Sequence, residues 1–144
     1  GYARGNEVLL ATADLLRMAL REQGRSEDFI GHIGGDDFIL ITTPGSYERI
    51  CDAVLSAFDQ KIADFYDPED RGRGGIQGTT RRGEEVSFPL MTLSIAVVTN
   101  QHRKLKNHIQ VGEIAAEMKN FAKSFTKSIY VVDKRRDPPT GGTA

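Results

Sequence analysis

Leu9, Ala13, Leu16 and Leu20 recur at three- and four-residue intervals, and Gly24 follows them, so the pattern predicts a helix that stops near residue 24. Gly5-Asn6-Glu7 opens it, and Asn6 suits an N-cap because its side-chain oxygen can take an orphan backbone N–H. Phe29 to Ile33 and Phe38 to Thr43 are short runs rich in β-branched and aromatic residues. Gly34-Gly35-Asp36-Asp37 between them has the composition of a tight turn, so the pair predicts a β-hairpin. After the break at Pro44-Gly45-Ser46, Ile50, Val54, Phe58 and Ile62 mark a second helix with Ser46 as a candidate cap.

Residues 67–85 carry five glycines and four arginines without apolar periodicity, and read either as a flexible loop or as a protruding hairpin turning near Arg82-Gly83. Leu90 to Val98 is almost wholly apolar, as expected of a strand covered on both faces. Ile114, Met118, Phe121 and Phe125 define a third helix, Ile129 to Val132 a last strand, and residues 137–144 a disordered tail. The order α-β-β-α-β-α-β matches most of a ferredoxin-like βαββαβ unit whose first strand would precede residue 1.

A length of 144 residues predicts one domain, here residues 1–136 with an insertion at 67–85. With 39% hydrophobic and 27% charged residues the chain can build a core, which excludes a disordered tail as its whole character. It has no apolar run of spanning length and no basic-then-apolar leader pattern, so a cytoplasmic, soluble protein without membrane contact is expected. The single cysteine, Cys51, excludes a disulfide framework and a cysteine-based zinc site, and its place beside Ile50 and Val54 predicts a core thiol.

The net charge of −1 hides an asymmetry. Residues 1–70 carry 6 Lys+Arg against 14 Asp+Glu, whereas residues 101–144 carry 9 against 4. Such a division suits carboxylates holding metal opposite lysines holding phosphate, but charge alone favours the plainer reading of solvated helix faces. Arg71, Arg73, Arg81 and Arg82 have no interleaved aromatics for base stacking, so nucleic acid is not expected as a partner. His102 and His108 lie in a polar connector without acidic neighbours at metal spacing, which predicts solvent exposure.

Chemistry concentrates at Ile33-Gly34-Gly35-Asp36-Asp37-Phe38. The glycines permit positive φ and close approach of backbone to a ligand, and adjacent carboxylates at a turn can take Mg²⁺ bridged to phosphates. The same residues also make an ordinary hairpin turn.

Gly34-Gly35-Asp36-Asp37-Phe38 resembles the signature of the GGDEF family, the bacterial diguanylate cyclase domains, with Asp in place of Glu at the fourth position. Four further segments extend the resemblance. Arg25-Ser26-Glu27-Asp28 is similar to the family's RxxD product-inhibition site, and residues 1–6 (GYARGN) to its GHxxGD segment. Residues 91–96 (MTLSIA) are similar to its VTxSIG strand, and Ala122-Lys123 with Lys127 to its AKxxGR segment.

The resemblance implies a nucleotide-cyclase palm, an α+β fold with a βααββαβ-type antiparallel sheet and helices packed on it. It implies condensation of two GTP to cyclic di-GMP with Mg²⁺ (or Mn²⁺) across a homodimer, under an upstream sensor or receiver domain of a signalling protein such as a response regulator. Asp36 would be the metal ligand and, with Asp37, catalytic. Asn6, Gly34, Gly35, Lys123 and Lys127 would bind substrate, and Arg25 and Asp28 would bind product. Several positions depart from the pattern: Asn6 replaces a guanine-contacting Asp, Tyr2 a His, His32 an Arg and Lys127 an Arg, which keeps charge but loses bidentate geometry. These departures leave two function classes: an active cyclase, or a catalytically silent module that binds cyclic di-GMP or GTP and passes the signal on.

Overall fold

The computed structural model describes residues 2–139, with side chains from Arg4 onward. The chain is mixed α+β and divides into two compact units, residues 1–93 and 94–144.

The first unit opens with α1 (Tyr2–Gln23), followed by a hairpin of β1 (Phe29–Gly34) and β2 (Asp37–Ile41), and then α2 (Tyr47–Ile62). Its core is the seam between the two helices. Leu15, Leu16, Ala19 and Leu20 of α1 are buried, as are Ile50, Cys51, Val54, Phe58 and Ile62 of α2, the positions that the 3.6-residue period places on one face. Thr12, buried in the same seam, satisfies its hydroxyl by donating to Val8 O at 2.7 Å.

Helix α1 begins earlier than the sequence pattern predicts. Asn6 lies inside the helix rather than at its cap, because helical backbone already runs through the preceding turn, where Arg4 Nη1 donates to Phe65 O. Ser46 does stand at the N-cap of α2, but its side chain makes no capping bond. It is buried, and Thr43 Oγ1 donates to its hydroxyl at 3.2 Å.

Residues 63–89 resolve the choice between loop and hairpin. A 3-10 turn (Ala63–Phe65) leads to a short helix, α3 (Pro68–Arg73), capped by Asp67 and closed by Gly74 at φ +74°. The antiparallel pair β3 (Gly75–Thr79) and β4 (Glu85–Pro89) follows, turning through Gly83 at φ +82°. Arg71 donates to Ala63 O and Tyr66 O, Arg73 pairs with Glu69 and Asp70, and Arg81 and Arg82 are exposed.

The second unit is a β-α-β element: β5 (Ser94–Val97), α4 (His108–Lys123) and β6 (Ile129–Val132), with the strands paired in parallel. The expected antiparallel pairing holds for β1–β2 and β3–β4, whereas β5 and β6 run parallel because a helical crossover returns the chain in the same direction. Strand β5 is also shorter than the apolar run Leu90–Val98: Leu90 to Leu93 lie outside any strand, and Met91 is exposed. Ile114, Ala122 and Val131 are buried, whereas Phe121 and Phe125 are exposed and pack edge to face on each other, 5.3 Å apart. The sequence period placed both rings inward. The structure instead seats the small Ala122 against the strands.

His102 and His108 are exposed, as expected. Within the predicted disordered tail Asp137 is held, its Oδ2 accepting from Lys104 N at 2.6 Å; residues 140–144 lie outside the described residues.

Candidate functional site

The β1–β2 turn is built by its glycines. His32 pairs with Phe38 and Gly34 with Asp37, so Ile33 is an extra residue, a β-bulge, on the β1 side. Gly34 at φ +146° and Gly35 at φ +54° adopt backbone that side-chain-bearing residues rarely do. Asp36 follows them, exposed at the tip, and Asp37 is half-buried at the first position of β2.

Below the tip, His32 stacks on Phe38 with ring centroids 4.6 Å apart and planes 19° from parallel. Its Nε2 lies 2.8 Å from Gly35 O, and since a carbonyl only accepts, Nε2 carries the proton and donates. The imidazole thus braces the turn from the strand side. Sequence reasoning noted His32 only as a substitution. Its two-residue offset from the glycine pair is the signal that could have found the brace.

His32 and Phe38 also line a cleft of about 550 Å³ with Ile30 and Gly31 on the hairpin side. Leu9, Leu10, Ala13, Asn6 and Arg17 of α1 form the other wall. That volume falls within the range of about 300–1,000 Å³ typical of small-molecule pockets. The walls are mainly apolar, with an amide, a guanidinium and an imidazole as the polar groups. Freed from capping, Asn6 is a cleft residue. Arg17 also pairs with Asp14 at 3.0 Å.

The side chains of Arg25 and Asp28 have separate surroundings. Asp28 Oδ2 accepts from Arg25 N at 2.8 Å and from Thr42 Oγ1 at 2.7 Å, so this carboxylate closes the α1–β1 turn and ties it to the end of β2. A Cβ on Gly24 would stand 2.3 Å from Asp28 Oδ2, which explains the glycine there. The Arg25 guanidinium is exposed and pairs loosely with Glu27 at 3.5 Å. The structure therefore gives Asp28 a turn-closing role and leaves Arg25 facing solvent.

Lys123, the last residue of α4, and Lys127 are exposed in the second unit, while Asp36 and Asp37 belong to the first. Among the described residues no three His, Cys, Asp or Glu side chains gather in a metal-binding arrangement. Mg²⁺ commonly uses one or two carboxylates, keeps several waters and takes phosphate oxygens for the rest, and the exposed Asp36 fits that donor set. Among the described residues no helix is long and apolar enough to cross a membrane. Comparison with protein-family models and with curated proteins returns no match, so the chemistry of the hairpin tip and cleft rests on the residues themselves.

Proposed function

We propose that the chain is a diguanylate cyclase domain of a signalling protein, binding GTP beside the β1–β2 hairpin and joining two GTP into cyclic di-GMP across a homodimer. The observation that carries this reading is the connection between tip and cleft. Asp36 and Asp37 sit on a turn bared by Gly34 and Gly35, and His32 both holds that turn and lines the adjoining cleft. A base entering the cleft would meet apolar walls and the Asn6 amide, while its phosphates would extend toward the tip carboxylates.

Asp36 would hold Mg²⁺ (or Mn²⁺), which when bound neutralises phosphate charge. In each bond-forming step a 3′-hydroxyl of one GTP attacks the α-phosphorus of the other and pyrophosphate leaves. Asp36 stands to orient the attacking hydroxyl, with Asp37 beside it. The resemblance gives Lys123 and Lys127, both exposed, a phosphate-contacting role. A ferredoxin-like palm is the architecture proposed with this function. The apolar face of the hairpin supports it: Phe29, Ile33, Ile39 and Ile41 are all exposed, a surface that a further layer or strand would cover.

A second reading, a module that binds GTP or cyclic di-GMP without turning it over, is favoured by Asn6. The guanine edge presents two donors, and an amide oxygen accepts less of that edge than a carboxylate does. Calorimetric titration with GTP and cyclic di-GMP, combined with chromatography of a GTP–Mg²⁺ incubation, separates the two. A cyclase yields cyclic di-GMP that Asp36→Asn abolishes while nucleotide still binds. Binding without product in the wild type selects the receptor, and absence of binding by both nucleotides up to about 1 mM overturns both readings.

A further inference from the structure

Two short basic runs, residues 103–106 (RKLK) and 134–136 (KRR), flank α4 in the sequence, and the second unit clasps them together through three carboxylates. The Asp133 side chain, only 1% exposed, accepts from Arg103 Nη1 at 2.8 Å and from Arg135 Nε at 2.7 Å. Arg135 Nη1 reaches both oxygens of Glu117 at 3.1 Å. Asp137 completes the clasp, accepting from Lys104 N at 2.6 Å and donating its own N–H to His102 O at 3.2 Å. Arg103 and Arg135 are thus spent on internal contacts. Lys104, Lys106, Lys134 and Arg136 are exposed and lack a carboxylate partner among the described residues. Helix α2 carries the opposite charge: Glu48 and Asp52 are exposed and stand one turn apart, about 6 Å along the axis.

We propose that the clasped basic surface docks on the acidic side of α2 in a second copy of this chain. Charge favours a copy over nucleic acid or an anionic membrane. Residues 1–70 carry 6 Lys+Arg against 14 Asp+Glu, so the chain itself holds the acidic complement that the basic surface needs, whereas its net charge gives a polyanion no overall attraction. A second copy supplies the acidic surface that complements the basic one, and a chain of net charge −1 has little overall repulsion to oppose the contact. The association is electrostatic and exposed, so salt weakens it. It involves neither the cleft nor the hairpin tip, and it stands or falls apart from the nucleotide reading.

The test is the solution mass by light scattering, without nucleotide, at about 10 mM and about 0.5 M salt. The wild-type chain should exceed the monomer mass at low salt and return to it at high salt. Lys104→Glu with Arg136→Glu should be monomeric, as should Glu48→Lys with Asp52→Lys, and an equal mixture of the two variants should associate again. The neutral pair Lys104→Gln with Arg136→Gln, should the reversals disturb folding by circular dichroism, should weaken association about ten-fold. A wild-type monomer at low salt overturns the proposal, as does a folded mixture that stays monomeric or a neutral pair that associates like wild type. Salt-sensitive binding of duplex DNA or phosphatidylserine vesicles by a monomeric wild type overturns it in favour of a polyanion.

Discussion

His32 and Phe38 face each other across the β1–β2 hairpin, their rings 4.6 Å apart and 19° from parallel, while the same imidazole donates to Gly35 O at 2.8 Å. One side chain therefore joins a cross-strand stack to the turn that carries Asp36. Replacing His32 with Ala removes both contacts and should loosen the tip by about 1 kcal/mol, which speeds amide exchange at residues 35–37 about five-fold. Unchanged exchange would show that the bulge and glycines hold the turn alone.

Two glycine substitutions should act in opposite directions. In Gly24→Ala the new Cβ would stand 2.3 Å from Asp28 Oδ2 and 2.7 Å from Leu20 O, where backbone cannot yield cheaply. A loss of about 1–3 kcal/mol is expected. Gly5, inside α1, has nothing within 4 Å of such a Cβ. Gly5→Ala should stabilise by about 0.5–1 kcal/mol through helix propensity. Thermal denaturation followed by circular dichroism reads both signs.

Asp133 makes the second unit sensitive to acid. Burial pushes its carboxyl up, but hydrogen bonds from Arg135 and Arg103 outweigh burial and hold it below the ordinary carboxylate value. The group binds a proton more readily unfolded than folded. Its stabilising effect is therefore complete above the unfolded value of about 3.9 and is lost as pH falls below that toward the lower folded value. Asp133→Asn should flatten this acid limb in pH-dependent denaturation of residues 94–139. It should also cost about 3 kcal/mol near neutrality, since Arg103 would keep a largely buried charge without its partner.

Cys51 should be chemically silent in the folded protein. Burial, with a smaller contribution from the Asp52 charge, pushes its thiol up to about 12. Labelling by a thiol-exchange reagent at pH 8 should be negligible until denaturant exposes α2. Fast labelling of native protein would mean that the α1–α2 seam opens readily.

The types of α1, α2, α4, β1, β2 and β6 were legible along the chain because each follows a local rule, whereas α3 lies in a stretch that the pattern left as loop or hairpin. The 3.6-residue period of Ile50, Val54, Phe58 and Ile62 marks the buried face of α2, and the paired glycines at 34–35 mark a turn that only they can make. Tertiary structure decided the rest. Asn6 became a cleft residue because α1 starts ahead of it, a boundary that no single cap residue dictates. Phe121 stayed outside because the helix seats Ala122 inward, a choice of rotational setting that periodicity leaves open. The clasp around Asp133 joins runs separated by a whole helix, and the carboxylate's two arginine partners become neighbours only once β5 and β6 lie side by side. Local propensity acts over a few residues, whereas burying a charge requires partners from distant parts of the chain, and only the folded packing supplies them.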